Sequence, residues 1–155
     1  MGSDPTRPST EESPVQSTLD DHVECMETVA RVEACLEGRP DQAWLARLRD
    51  ELPTMIETLC CHFSQEAEGS LYQEVPVRYP RFSARLRVLL DEHADIVRRA
   101  KKTAEQADQL ADAEPYQLQE FAARVHLLVA KIRRHEAEEN EIVIEAYWGT
   151  LGTGD

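Results

Sequence analysis

Glycine is scarce in this chain, six in 155 residues, and aromatic side chains make up only 6% of it. A sandwich or barrel built on glycine turns and aromatic strands is a poor fit to that composition. The recurrence of Ala, Leu, Glu and Arg points instead to an all-α chain. No apolar run approaches the ~20 residues that a helix needs to cross a bilayer. Basic residues are outnumbered, 17 against 30 acidic, for a net charge of −13. That balance disfavours nonspecific contact with nucleic acid or with an anionic membrane surface, so neither is an expected partner. With 41% hydrophobic residues the chain is not of the disordered class, and its length suits one domain of ordinary core size.

No CxxC pair occurs among the four cysteines, Cys25, Cys35, Cys60 and Cys61, and no secretory leader is evident. The expectation is a reduced, cytoplasmic protein with buried free thiols.

The first 14 residues carry Pro5, Pro8 and Pro14 and no apolar side chain after Met1, so residues 1–16 are expected to form a disordered tail. Ser17 with Asp20 reads as a helix start and Gly38-Arg39-Pro40 as its stop, which gives a first helix over about 17–37. Asp41 opens a second, to about 68. Val75 to Pro80 must be a connection, because its two prolines remove two backbone donors. Pro80 suits the first turn of a third helix, to about 110, and Glu114-Pro115 opens a fourth, to about 148, ahead of a tail over 149–155. Four long helices joined by short turns predict an up-down-up-down four-helix bundle over 17–148. Pro53 falls inside the second helix, where a proline costs ~3 kcal/mol, and predicts a kink or a break.

A repeat runs through these helices. On the second, the apolar stripe Leu45, Leu48, Leu52, Met55, Leu59 continues at the same alternating spacing into His62 and Glu66. On the fourth, Leu118, Phe121, Val125, Leu128, Ile132 continues into His135 and Glu139, each 73 residues after its partner. Leu19, His22, Met26 and Val29 on the first helix match Leu90, His93, Val97 and Ala100 on the third at an offset of 71. The pattern is that of a duplicated helical hairpin. Residues three and four apart share a helix face, so His22, His62, Glu66, His93, His135 and Glu139 are all expected on the seam that faces the interior. Each histidine pair straddles its turn by roughly 20 residues a side, ~30 Å of helix, and so can meet at one height. His126, nine residues before His135, falls on the opposite face at ~100° per residue and is expected at the surface.

Singly, an H-x-x-x-E pair is a common surface feature. Four imidazoles and two carboxylates converging in one core are different, because burying them without a cation costs several kcal/mol per unpaired group, whereas a metal turns that cost into binding energy. Imidazole and carboxylate without thiolate suit iron, manganese or zinc, and two carboxylates facing across the axis are placed to bridge a pair of metals. A dinuclear iron site is the expectation. The ferritin-like pattern needs Glu-x-x-His on two helices, which is absent. His135-Glu136-Ala137-Glu138-Glu139 lacks the second histidine of a metalloprotease motif.

Asp21-His22, His62-Phe63-Ser64-Gln65-Glu66, Asp91-Glu92-His93-Ala94-Asp95-Ile96 and His135-Glu136-Ala137-Glu138-Glu139, in that order over about 17–148, resemble the hemerythrin-like family, the HHE cation-binding domain. The resemblance implies His22, His62, His93 and His135 as terminal ligands, Glu66 and Glu139 as bridging carboxylates, and two iron ions joined by an oxo or hydroxo group as the cofactor. It implies binding or sensing of dioxygen, nitric oxide or a related small oxidant, or iron handling. Oxygen-carrying members have five histidines, two of them one turn apart on the third helix; here Val97 and Leu89 flank His93. One iron is then expected to carry an extra open or water-filled position, with Glu92 or Asp21 less favoured as substitutes, and sensing or redox chemistry is favoured over oxygen carriage. Two other readings compete: a di-iron oxidoreductase that consumes peroxide or nitric oxide, and a helical interaction module that has lost the metal. Cys25 and Cys61, next to histidines, read as structural thiols. The clusters Arg98-Arg99, Lys101-Lys102 and Arg133-Arg134 read as solvated outer faces.

Overall fold

Capping residues and prolines set the helix ends. Gly38 takes φ +91°, a conformation that L side chains avoid, and turns the chain out of the first helix. Asp41 then caps the second, its carboxylate accepting the Trp44 backbone N–H at 2.8 Å. Glu114 and Gln117 form a reciprocal capping box ahead of Pro115, which occupies the first turn of the last helix.

The computed structural model describes residues 14–149, with side chains described from His22 onward. The expected C-terminal tail beyond Gly149, and residues 1–13 of the expected N-terminal one, lie outside the described residues. The long helices are α1 (Pro14–Cys35), α2 (Gln42–Glu68), α5 (Ser83–Asp108) and α6 (Pro115–Trp148). Between α2 and α5 run two single-turn helices, α3 (Ser70–Gln73) and α4 (Val75–Arg78), and a 3-10 turn over Pro80–Phe82. No strand occurs among the described residues, and none of the helices there is long and apolar enough to cross a membrane.

Three boundaries differ from expectation. α1 already includes Pro14, Val15 and Gln16, the last three residues of the stretch expected as tail. The connection after α2 is helical in single turns, since Pro76 and Pro80 each sit at the start of one, where the missing N–H is unused. α2 does not break at Pro53: the helix is one element, and the proline lies on its exposed side, away from the core.

α1 packs on α2, α2 on α5, α5 on α6 and α6 back on α1. Two apolar clusters fill the interior. The larger includes Val29, Trp44, Leu48, Ile96, Phe121 and Ile132, with Trp44 edge-on to Phe121 at 6.1 Å. The smaller joins Tyr72, Val75 and Phe82, all in the strap over residues 70–82, to Leu86, Leu89, Ile142 and Ala146. Along α5 the order is Leu89, His93, Ile96, and along α6 it is Ile132, His135, Glu139, Ile142. A polar layer therefore lies between two apolar ones.

The repeat registers hold in the core with one correction. All seven α6 positions of the seam are buried, as are those of α2 up to His62; Glu66 is half-buried. On α5, Leu90 is 39% exposed and does not face the interior. The buried face of α5 runs through Leu89, His93, Ile96, Ala100, Thr103 and Ala107, and at the same offset of 71 its last four members pair with buried Cys25, Val29, Val32 and Leu36 of α1.

Candidate metal centre

All six residues expected on the seam meet in the polar layer, in two groups that a seventh completes. His22 of α1, His62 of α2 and Glu136 of α6 form one; Glu66 of α2, His93 of α5, and His135 and Glu139 of α6 form the other. Within each group the candidate donor atoms lie within 4.8 Å of one another. Glu136 spans two rings, its Oε2 3.4 Å from His22 Nδ1 and its Oε1 3.3 Å from His62 Nε2. In the second group His93 Nε2 lies 3.3 Å and His135 Nε2 3.0 Å from Glu139 Oε1. Glu66 joins the groups, its Oε2 being 3.5 Å from His62 Nε2 and 3.4 Å from His93 Nε2. The layer is closed at His135, 0% exposed, and most open at His22, whose side chain is 35% exposed.

Burial and crowding set the protonation. Glu66 is pushed up to about 9 by burial and by the neighbouring Glu139 charge. Glu139 goes the other way: burial opposes its charge, but the His135 and His93 rings beside it outweigh that and hold its carboxyl well below the usual range. Burial also opposes charge on His62 and His135, yet the Glu136 hydrogen bond raises the first and the adjacent Glu139 carboxylate the second.

Three residues enlarge the site beyond the six seam positions. Glu136 is the first, and no spacing argument reached it because it lies one residue off the seam. The register of 73 does hold a signal: the counterpart of Glu136 on α2 is Phe63, whose ring stacks on His93 at 4.1 Å and 5°. One half of the duplication thus places a carboxylate where the other places a phenyl ring. Tyr72 is the second. It reaches in from α3 and donates its hydroxyl hydrogen bond to Glu139 Oε1, 3.4 Å from His93 Nε2. Burial and the Glu139 charge push its phenol far above the ordinary range, so it keeps its proton. Glu92 is the third, weighed from sequence as a substitute ligand. It belongs to neither group; its Oε2 lies 2.9 Å from His135 Nδ1, and Arg134 and Lys131 lie 3.6 and 3.9 Å from its other oxygen. The side chain of Asp21 is outside those described.

The residues fit a cation. Glu66 Oε2, His135 Nε2 and Glu139 Oε2 are buried without a hydrogen-bond partner, which is the condition that a metal relieves. The cysteines stand apart from both groups. All four are free, but only Cys25 is buried, correcting the expectation for Cys35, Cys60 and the exposed Cys61. Burial raises the Cys25 thiol to about 12, so it remains an inert thiol. His126 is exposed, as its angular offset requires.

No curated protein and no solved structure matches the chain. The family model of the hemerythrin HHE cation binding domain matches residues 13–147, nearly the whole of the helical region, and the chain belongs to that family.

Proposed function

We propose that this chain is a non-haem di-iron protein that binds or senses dioxygen, nitric oxide or a related small oxidant, with its long helices running up-down-up-down around the centre. One observation carries the reading: seven ionisable side chains converge on a buried layer in which three polar atoms have no hydrogen-bond partner. Imidazole and carboxylate without thiolate form a donor set for iron, manganese or zinc. His22, His62 and Glu136 would hold one ion and Glu66, His93, His135 and Glu139 the other, with Glu66 shared. Bound iron would supply one-electron chemistry and affinity for small diatomic ligands.

The chain's own residues prepare that centre. Glu92 accepts the His135 Nδ1 proton, which fixes the tautomer and turns the Nε2 lone pair inward. Tyr72 supplies an O–H that stays protonated beside the second group. Leu89 and Val97, on the turns either side of His93, offer no fifth imidazole, which favours sensing or redox chemistry over reversible oxygen carriage. Four free thiols suit a reduced, cytoplasmic setting.

A second reading, an oxidoreductase that consumes peroxide or nitric oxide, is favoured by Tyr72, whose hydroxyl stands beside the second group, where it would orient a bound oxidant by hydrogen bonding. The test is to load the protein anaerobically with ferrous iron, titrate nitric oxide while recording the optical spectrum, and then follow peroxide consumption with a reductant. Saturable binding without turnover supports the binding protein. Turnover that falls in Tyr72→Phe supports the oxidoreductase. An iron-loaded chain that does neither refutes both.

A further inference from the structure

A second feature of the molecule opens between α2 and α5, on the outside of the bundle. Cys60, Ser64 and Ala67 recur at helical spacing on α2, and Leu90, Ala94 and Val97 do so on α5. These residues line an open groove of about 930 Å³ between the two helices. Most of its lining is apolar, and it includes the buried Phe63 and His93. Leu90, 39% exposed, has no cover in the fold.

One turn beyond Val97 the lining changes sign. Arg98, Lys101 and Lys102 form that end of the groove, with Glu105 one turn further on. Arg98 is paired with Asp95, but Lys101 and Lys102 have no ion-pair partner among the described residues. Two unpaired lysines side by side stand out in a chain whose net charge is −13. The apolar lining and cationic end together span Leu90 to Lys101, 11 residues or ~16 Å of helix. That is the reach of a single medium-length alkyl chain with an anionic head.

We propose that the groove binds a free medium-chain carboxylate, its head between Lys101 and Lys102 and its tail along Val97, Ala94 and Leu90 toward Phe63. Because Phe63 stacks on His93, occupancy is felt at the polar layer. The site is built from residues outside both metal groups except His93 and does not require an ion. Binding is therefore tested on the metal-free protein, and its failure is separate from failure of the di-iron reading.

Decanoate is titrated into the metal-free full-length chain by calorimetry, with amide and histidine-ring NMR shifts recorded in parallel. Expected are one decanoate per chain, shifts confined to the groove and His93, octanoate weaker by about tenfold for two fewer methylenes, and no binding of decyltrimethylammonium. Lys101→Glu with Lys102→Glu, both at exposed positions, weakens decanoate at least tenfold. Ala94→Trp, which fills the groove, removes binding; should that variant not fold, the lysine pair still decides. Absence of saturable decanoate binding overturns the proposal, as does undiminished binding by the lysine variant. So does a wild-type dimer that blocks decanoate and is dispersed by the lysine variant, which would assign the groove to a second copy. Co-sedimentation with anionic vesicles without binding of free decanoate would assign it to a membrane and overturn it equally.

Discussion

Glu136 is held between two imidazoles from different helices, and its removal should separate the two halves of the centre. Glu136→Leu is expected to lower iron content after ferrous loading by about half, since His22 and His62 are left without their carboxylate while Glu66, His93, His135 and Glu139 stay in place. Undiminished iron, measured by elemental analysis, would remove Glu136 from the ligand set. Glu92 acts one bond further out. Glu92→Leu should weaken metal binding by about 10–100-fold through loss of the His135 Nδ1 partner, whereas Glu92→Gln, which keeps an acceptor oxygen, should retain most of it; competition with a chelator measures both. The six seam residues were legible in the sequence because histidine and glutamate continued an apolar register. Glu136 was not, because one residue along a helix turns a side chain by ~100° away from that register. Tyr72 was hidden for a different reason: it comes from the strap, where no periodicity of the long helices applies.

At the scale of the element, α2 carries the clearest test of helix physics. Pro53 lies inside it on the exposed side and deprives it of one backbone hydrogen bond. Pro53→Ala should therefore stabilise the protein by ~1–3 kcal/mol in urea titration, with no change in metal binding. Asp41→Ala, at the N-cap of the same helix, should destabilise it by about 1 kcal/mol through loss of the Trp44 N–H acceptor. Helix starts could be read at Asp41 and Pro115 because each announces itself by side-chain chemistry. The helical turns of residues 70–82 could not, since four-residue helices have too few positions to show a stripe. They are held by tertiary burial of Tyr72, Val75 and Phe82 against α5 and α6. Leu90 was misplaced on the seam because the offset of 71 was anchored on leucine at that position; the buried leucine is Leu89.

For the whole molecule, the polar layer is the weak point of the metal-free fold, since three of its buried polar atoms have no hydrogen-bond partner. His62, His135 and Glu66 all hold protons in the folded chain at pH values where the unfolded chain releases them. Their contribution is fully present below the ordinary values of these groups and is lost as pH rises, for Glu66 between 4.5 and about 9. Glu139 acts in the opposite sense, and its contribution is lost only as pH falls below the usual carboxylate range. The metal-free protein should therefore melt several degrees lower at about pH 8.5 than at about pH 6 in the presence of a chelator. Bound metal replaces those protons and should reduce the difference.

Iron content after anaerobic ferrous loading and desalting decides whether the polar layer is a di-iron centre. Two irons per chain in the unaltered protein, and near background in a folded His62→Ala and His135→Ala double variant that breaks both groups, is the predicted result. Iron at background in the unaltered protein, or two irons retained by the double variant, would contradict it.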